Sequence, residues 1–146
     1  MLQRVRIKIE GLRDAREAMK IAQMGADAIG MVFADSPRWV SPEQARAIVD
    51  ILPPWVASVG VFVNSDAATI NRVVQRTGIG YVQLHGDEPP EHRSALTGIP
   101  VIKAFRVGRD FDAGRLDVWT ADYYLLDTYV PGNHGGTGET FDWAVA

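Results

Sequence analysis

Residues 28–64 read AIGMVFADSPRWVSPEQARAIVDILPPWVASVGVFVN. Ala28–Phe33 is a near-continuous apolar run, and Val59–Val63 is a second one. Runs this short, without polar alternation, suit strands buried on both faces, as parallel strands are. Between them lies the clearest helix signal in the chain. Ser41 stands at the N-cap, Pro42 at the first helical position and Gln44 at the third, before Ala45, Ile48, Val49 and Leu52 at i, i+3, i+4 and i+7. Pro53 and Pro54 stop it. A strand, a capped helix and a second strand predict a βαβ unit and a parallel sheet.

The same unit repeats on both sides. Upstream, Val5–Ile9 ends in Glu10, and a helix follows in which Asp14 and Glu17 resemble a capping box. Ala15, Ala18, Met19 and Ala22 share one face of it, and Gly25 suits a left-handed closing residue. Downstream, Tyr81–Leu84 ends in His85, Val101–Phe105 in Arg106 and Tyr123–Leu126 in Asp127. A third helix is predicted to start at Asp66, bury Ile70, Val73 and Val74, and end at Gly78; a shorter one is predicted near Pro89–Leu96. In Gly108–Thr120 the spacing of Phe111, Leu116 and Trp119 is too weak for more than a loop or a single turn.

Polar residues at the C-terminal ends of successive strands are the layout of a (β/α) barrel active site, and eight strands close such a barrel. Here six are counted, followed by glycine-rich Val130–Thr140 and by Phe141–Ala146, which opens like another helix. The expected fold is therefore α/β, of the (β/α)8 TIM-barrel kind. Residues 1–146 form one domain, with the barrel cut off after its sixth strand and glycine-rich loop.

Bulk properties narrow the function. With 47% hydrophobic and 23% charged residues the chain is an ordinary globular one. A net charge of −3 offers no basic field, so nucleic acid is not an expected partner, whereas a small anion needs only a few local arginines. There is no cysteine, hence no disulfide and no thiolate chemistry. Met1–Glu10 lacks a signal-peptide core, and no apolar stretch approaches the roughly 18 residues of a membrane span. The expected location is the cytoplasm, with no membrane contact.

Several side chains are candidates for chemistry. Glu10 and Asp127 are two strand-end acids, a pairing suited to proton transfer. The alternatives are that Glu10 pairs with Lys8 on the same strand face, and that Asp127 bonds backbone amides. His85 sits where a strand turns into a loop, either lining a site or serving structure. Arg38, in the loop after the second strand, is either a carboxylate fork or a solvated surface group. Lys103 lies inside the fifth strand, as a Schiff-base lysine or, the favoured reading, an interior ion-pair partner. A metal site can be drawn from Glu10, Asp35, His85 and Asp127, but no segment has ligand spacing, and none is expected. Gly132–Gly138 lacks the Gly-Lys-Ser/Thr of a phosphate loop.

At these residues the sequence resembles the phosphoribosylanthranilate isomerase family of tryptophan biosynthesis. The resemblance runs in order through Lys8–Gly11, Gly30–Phe33, Ser36–Pro42, Gly60–Asn64, Val82–Glu88, Ile102–Phe105, Leu126–Asp127 and Gly135–Gly138. It implies a cofactor-free aldose–ketose isomerase, in which an aminoaldose phosphate becomes a 1-deoxyketose phosphate by an Amadori rearrangement. By matched position, Asp127 would be the general acid and position 10 the general base, while Arg38, His85, Gly135 and Gly136 would contact substrate. The family carries cysteine where this chain has Glu10; the related barrel isomerase of histidine biosynthesis uses an aspartate as base for the same type of rearrangement. The family also has two further strands, whose loops supply most of the phosphate site. Weak phosphate binding and self-association through unpaired strand edges are therefore expected of these residues alone. Two other readings stay open: a non-catalytic barrel fragment that pairs with another chain, and an aldolase or epimerase that uses Glu10.

Overall fold

Six strands lie side by side in the order in which the chain makes them, every neighbouring pair parallel. The computed structural model describes residues 4–108, 111–128 and 140–141. The strands are β1 (Lys8–Glu10), β2 (Ala28–Val32), β3 (Ala57–Phe62), β4 (Tyr81–Leu84), β5 (Val101–Val107) and β6 (Tyr123–Thr128). The helices between them are α1 (Ala15–Gln23), α2 (Pro42–Ile51), α3 (Ala67–Thr77) and the single turns α4 (His92–Ala95) and α5 (Gly114–Asp117).

The helix ends follow from local chemistry. Ser41 Oγ accepts from the Gln44 amide at 3.2 Å while Gln44 Oε1 accepts from the Ser41 amide at 2.9 Å, a complete capping box. Asp14 caps α1 through the Glu17 amide, and Asp66 caps α3 through the Thr69 amide. Gly78 ends α3 at φ +72°, a conformation that a residue with a Cβ rarely adopts.

Register decides which residues share a face. Glu10 lies opposite Gly30, Gly30 opposite Val59, Val61 opposite Gln83, and Arg106 opposite Asp127. With a period of two, Ile29 and Met31 then face the other way. They are fully buried and join Ala18, Ala45, Ile48 and Ile70 from the helices in one apolar core. The outer face of the sheet thus packs on helices, and the opposite, inner face carries Lys8, Glu10, Gln83, Arg106 and Asp127.

That inner face is concave. In a flat sheet β1 and β4 would stand about 14 Å apart, and β4 and β6 about 10 Å, at the usual strand spacing. Yet Lys8 of β1 bonds Gln83 of β4, and His85 just after β4 lies 3.0 Å from Asp127 of β6. Side chains standing off separate strands meet in this way only if the sheet coils around them. Among the described residues β1 and β6 each have one strand neighbour.

Some boundaries differ from expectation. β1 begins at Lys8 rather than Val5, because the Ile7 amide is taken by the Asp27 carboxylate instead of a ladder partner. β5 and β6 run on to Val107 and Thr128, which puts Arg106 and Asp127 inside strands rather than after them. Near Pro89–Leu96 only one turn forms: Pro89 and Pro90 accept i+3 bonds from His92 and Arg93, and the turn ends at Ala95. The sixth strand is not buried on both faces, since Tyr123 and Tyr124 are about half exposed. The end of Phe141–Ala146 lies outside the described residues.

Candidate active site

Lys8, Glu10, Gln83, Arg106 and Asp127 reach the inner face by strand parity, and His85, two residues beyond Gln83, joins them. All of them but Arg106, which pairs with Asp87 at 2.6 Å, form a continuous hydrogen-bonded chain across the concave surface. Lys8 Nζ donates to Glu10 Oε1 and to Gln83 Oε1. Gln83 Nε2 lies 2.8 Å from His85 Nδ1, and His85 Nε2 lies 3.0 Å from Asp127 Oδ2. Asp127 Oδ1 accepts from the Thr128 amide at 2.9 Å. Glu10 pairs with Lys8, as the alternative reading had it, and that pairing keeps its carboxylate in the group.

The neighbours make room for this arrangement. A Cβ at Gly30 would stand 2.6 Å from Glu10 Cγ, so glycine there lets the Glu10 side chain lie across β2. Gly11, at φ +84°, does the same for Arg38, whose Cδ would be 2.5 Å from a Cβ on it. Arg38 therefore passes over the residue next to Glu10, on a loop fastened by Val40 N to Val32 O at 2.9 Å and Arg13 Nη1 to Pro37 O at 3.1 Å. Arg38 is exposed, and among the described residues no carboxylate pairs with it. Its guanidinium is open to an anionic or aromatic ligand.

Lys103 points away from the group. Its register partners are Leu84 and Tyr124, so it sits on the outer face, under Trp119 with Nζ 5.1 Å from the ring centre. There it pairs with Glu88 at 2.7 Å, both side chains almost wholly buried, and donates to Gly86 O at 2.7 Å. This is the ion-pair role; the Schiff-base alternative would need Lys103 on the inner face.

Glu88 is the residue that sequence reasoning missed. Its carboxylate also accepts from the amides of Asn64 at 2.9 Å and Gly86 at 3.1 Å. Asn64, at φ +53°, accepts from the Asp87 amide in turn, and a Cβ on Gly86 would fall 2.4 Å from Asn64 Oδ1. The loops after β3 and β4 are thereby locked together beside His85. One signal for it existed: a lysine within an apolar run requires a buried anion nearby. Gln83 gave no such signal, because a glutamine within an apolar run names no partner.

Asp35 is exposed in the loop after β2, and among the described residues no group of three or more His, Cys, Asp or Glu is gathered as a metal would require. Gly135 and Gly136, the remaining predicted contacts, lie outside the described residues.

Residues 7–146 match the family of N-(5'-phosphoribosyl)anthranilate (PRA) isomerase. This chain belongs to that family. It is 47% identical over 143 residues to the N-(5'-phosphoribosyl)anthranilate isomerase of Geobacter metallireducens, covering 97% of this chain and 70% of that protein. The crystal structure of the Thermotoga maritima phosphoribosyl anthranilate isomerase superposes with a TM-score of 0.85 at 42% identity, over 97% of this chain and 69% of that one. A further isomerase structure, in complex with reduced 1-(o-carboxyphenylamino)-1-deoxyribulose 5-phosphate, superposes at 0.79 with 41% identity, over 86% of this chain and 66% of that one. The six strands are accordingly an arc of the family's (β/α)8 barrel, and the family's isomerase chemistry is the frame for the inner-face residues. No helix among the described residues is long and apolar enough to cross a membrane.

Proposed function

We propose that this chain is an N-(5'-phosphoribosyl)anthranilate isomerase of tryptophan biosynthesis, with Asp127 as general acid and Glu10 as general base. The observation that carries this reading is the hydrogen-bonded chain in which the two acids, from β1 and β6, occupy the two ends of one inner-face group. Protonated Asp127 gives its proton to the furanose oxygen as the C1'–O bond breaks, leaving an iminium at C1'. The Glu10 carboxylate takes the C2' proton, and the C2'–H electron pair moves to close an enolamine. Loss of the enol proton and protonation of C1' yield the ketone. Every proton removed is returned, so the rearrangement consumes no oxidant, metal or organic cofactor. In this reading Arg38, which has no carboxylate partner among the described residues, meets the anthranilate carboxylate. The ligand of the matched complex, a carboxyphenylamino deoxyribulose phosphate, carries the aryl carboxylate and the phosphate of such a substrate. A cytoplasmic enzyme fits this chemistry.

The exposed apolar side chains Val5, Ile7, Val118, Tyr123 and Tyr124, on and beside β1 and β6, favour a second property: association of this polypeptide through its sheet edges. Light scattering at micromolar concentration tests it, a stable monomer being the contrary result.

The decisive experiment is a coupled isomerase assay on this chain, alone and fused to the last two βα units of the Thermotoga maritima relative. Conversion in either form supports the proposal. Absence of conversion in both, with the fusion folded, overturns it.

A further inference from the structure

The inner-face chain contains a directional constraint. The Lys8 ammonium can only donate, so the Gln83 atom facing it must be the amide oxygen. That turns the Gln83 NH2 group toward His85 Nδ1 at 2.8 Å, and an NH2 can only donate as well. Nδ1 therefore carries a lone pair, and the ring proton sits on Nε2, 3.0 Å from Asp127 Oδ2. Reversing the amide would set its NH2 against the ammonium. It would also set a bare Nε2 against the carboxylate unless the ring took up a second proton. Gln83 is fully buried and His85 nearly so, which makes such a mismatch costly.

We infer that Lys8 and Gln83 are positioning residues, which act through His85 by holding it as the Nε2–H tautomer with its proton aimed at Asp127. This rests on the general-acid reading of Asp127 for its consequence. When Asp127 gives up its proton, negative charge appears on the oxygen that His85 already faces, and a fixed donor there lowers the barrier without having to reorient. The polar path is not a proton wire, since the Gln83 amide passes on orientation and no proton. It lets a lysine on β1 choose the tautomer of a histidine beyond β4.

The test needs no turnover. Imidazole nitrogens of the 15N-histidine-labelled chain are recorded by NMR at about pH 8, above the ordinary imidazole range, and the His85 signals are assigned by their loss in His85→Asn. The expected spectrum shows His85 protonated at Nε2 alone. Gln83→Glu, nearly isosteric, should move the proton to Nδ1 or place one on each nitrogen, because a carboxylate there can only accept. Lys8→Met should give a mixture of tautomers. An Nδ1–H tautomer in the unmodified chain, or an unchanged Nε2–H signal in Gln83→Glu, overturns the inference. In the isomerase assay Gln83→Glu should lower kcat by about tenfold or more with KM nearly unchanged; an unaltered kcat overturns the positioning role. Absence of isomerase activity in both the chain and its folded fusion would overturn the proposed function, while the tautomer would still be decided by its own spectrum.

Discussion

Carboxylates occupy both ends of this sheet, and they are held differently. At the N-terminal end, Asp27 precedes β2 and Asp122 precedes β6. Asp27 accepts from the Ile7 amide at 2.9 Å and from Arg4 at 2.8 Å; Asp122 accepts from the Val101 amide at 2.8 Å and pairs with Arg93 at 3.1 Å. Each ties the start of one strand to the start of its neighbour, with one arginine beside it. At the C-terminal end, Glu10 and Asp127 belong to one chain of side chains contributed by β1, β4 and β6. An acid satisfied by backbone and arginine fixes strand positions; acids linked through side chains can respond together to a ligand. The barrel's division into a stability end and a chemistry end is thus visible in the bonding partners of its carboxylates.

The largest test of this contrast is Asp127→Asn. It should reduce turnover by about 10²–10⁴-fold, the usual reach of general acid–base catalysis, and leave the urea midpoint near that of the parent. A large loss of stability with turnover retained would erase the distinction. Glu88→Gln probes an acid that lies at the chemistry end yet is bonded like a structural one. Leaving Lys103 buried without its partner should cost about 3–5 kcal/mol in urea unfolding, and a smaller change would mean that the locked loops are not held by this pair.

Glu10→Cys sharpens the chemistry side. Restoring the family's side chain should raise turnover on the order of 10- to 100-fold, since a displacement of about 1 Å at the reacting atom is worth that much. A fall would mark Glu10 as a selected base. Ser41→Ala removes a capping box remote from both ends and should cost about 1 kcal/mol with kinetics unchanged, measured by denaturation and assay side by side.

The smallest effect concerns acid. The Ile7 amide, and after it Arg4, hold the Asp27 carboxyl below its ordinary range. A carboxyl depressed on folding contributes stability above its unfolded value, and that contribution is lost as pH falls through the folded one. Asp27→Asn should therefore be less stable than the parent at neutral pH, with the gap closing in acid. A gap independent of pH would show that shape, and not charge, is what Asp27 supplies.

Much of this was legible in the chain. The Tyr81–Leu84 strand has the predicted bounds, the Ser41–Gln44 box forms with both of its bonds, and Gly78 closes its helix as read. These are local effects, settled by neighbours within a few residues. Glu10, His85 and Asp127 were legible as strand-end polar groups, and they do converge. The chain did not show that Arg106 and Asp127 lie within strands, because ladder bonds to the adjacent strand and not the polarity of a residue decide where a strand ends.

By itself the sequence determined the alternation of strands and helices, the caps that start the three longer helices, and the acids available at the strand ends. All of these follow from backbone sterics, hydrogen bonds to near neighbours and the period of apolar residues. Only the tertiary structure decided that Lys103 faces outward to Glu88 while Lys8 faces inward to Gln83. The reason is register. A side chain's face is set by which residue of the adjacent strand it lies beside, and that pairing joins positions some twenty or more residues apart, where no local pattern reaches.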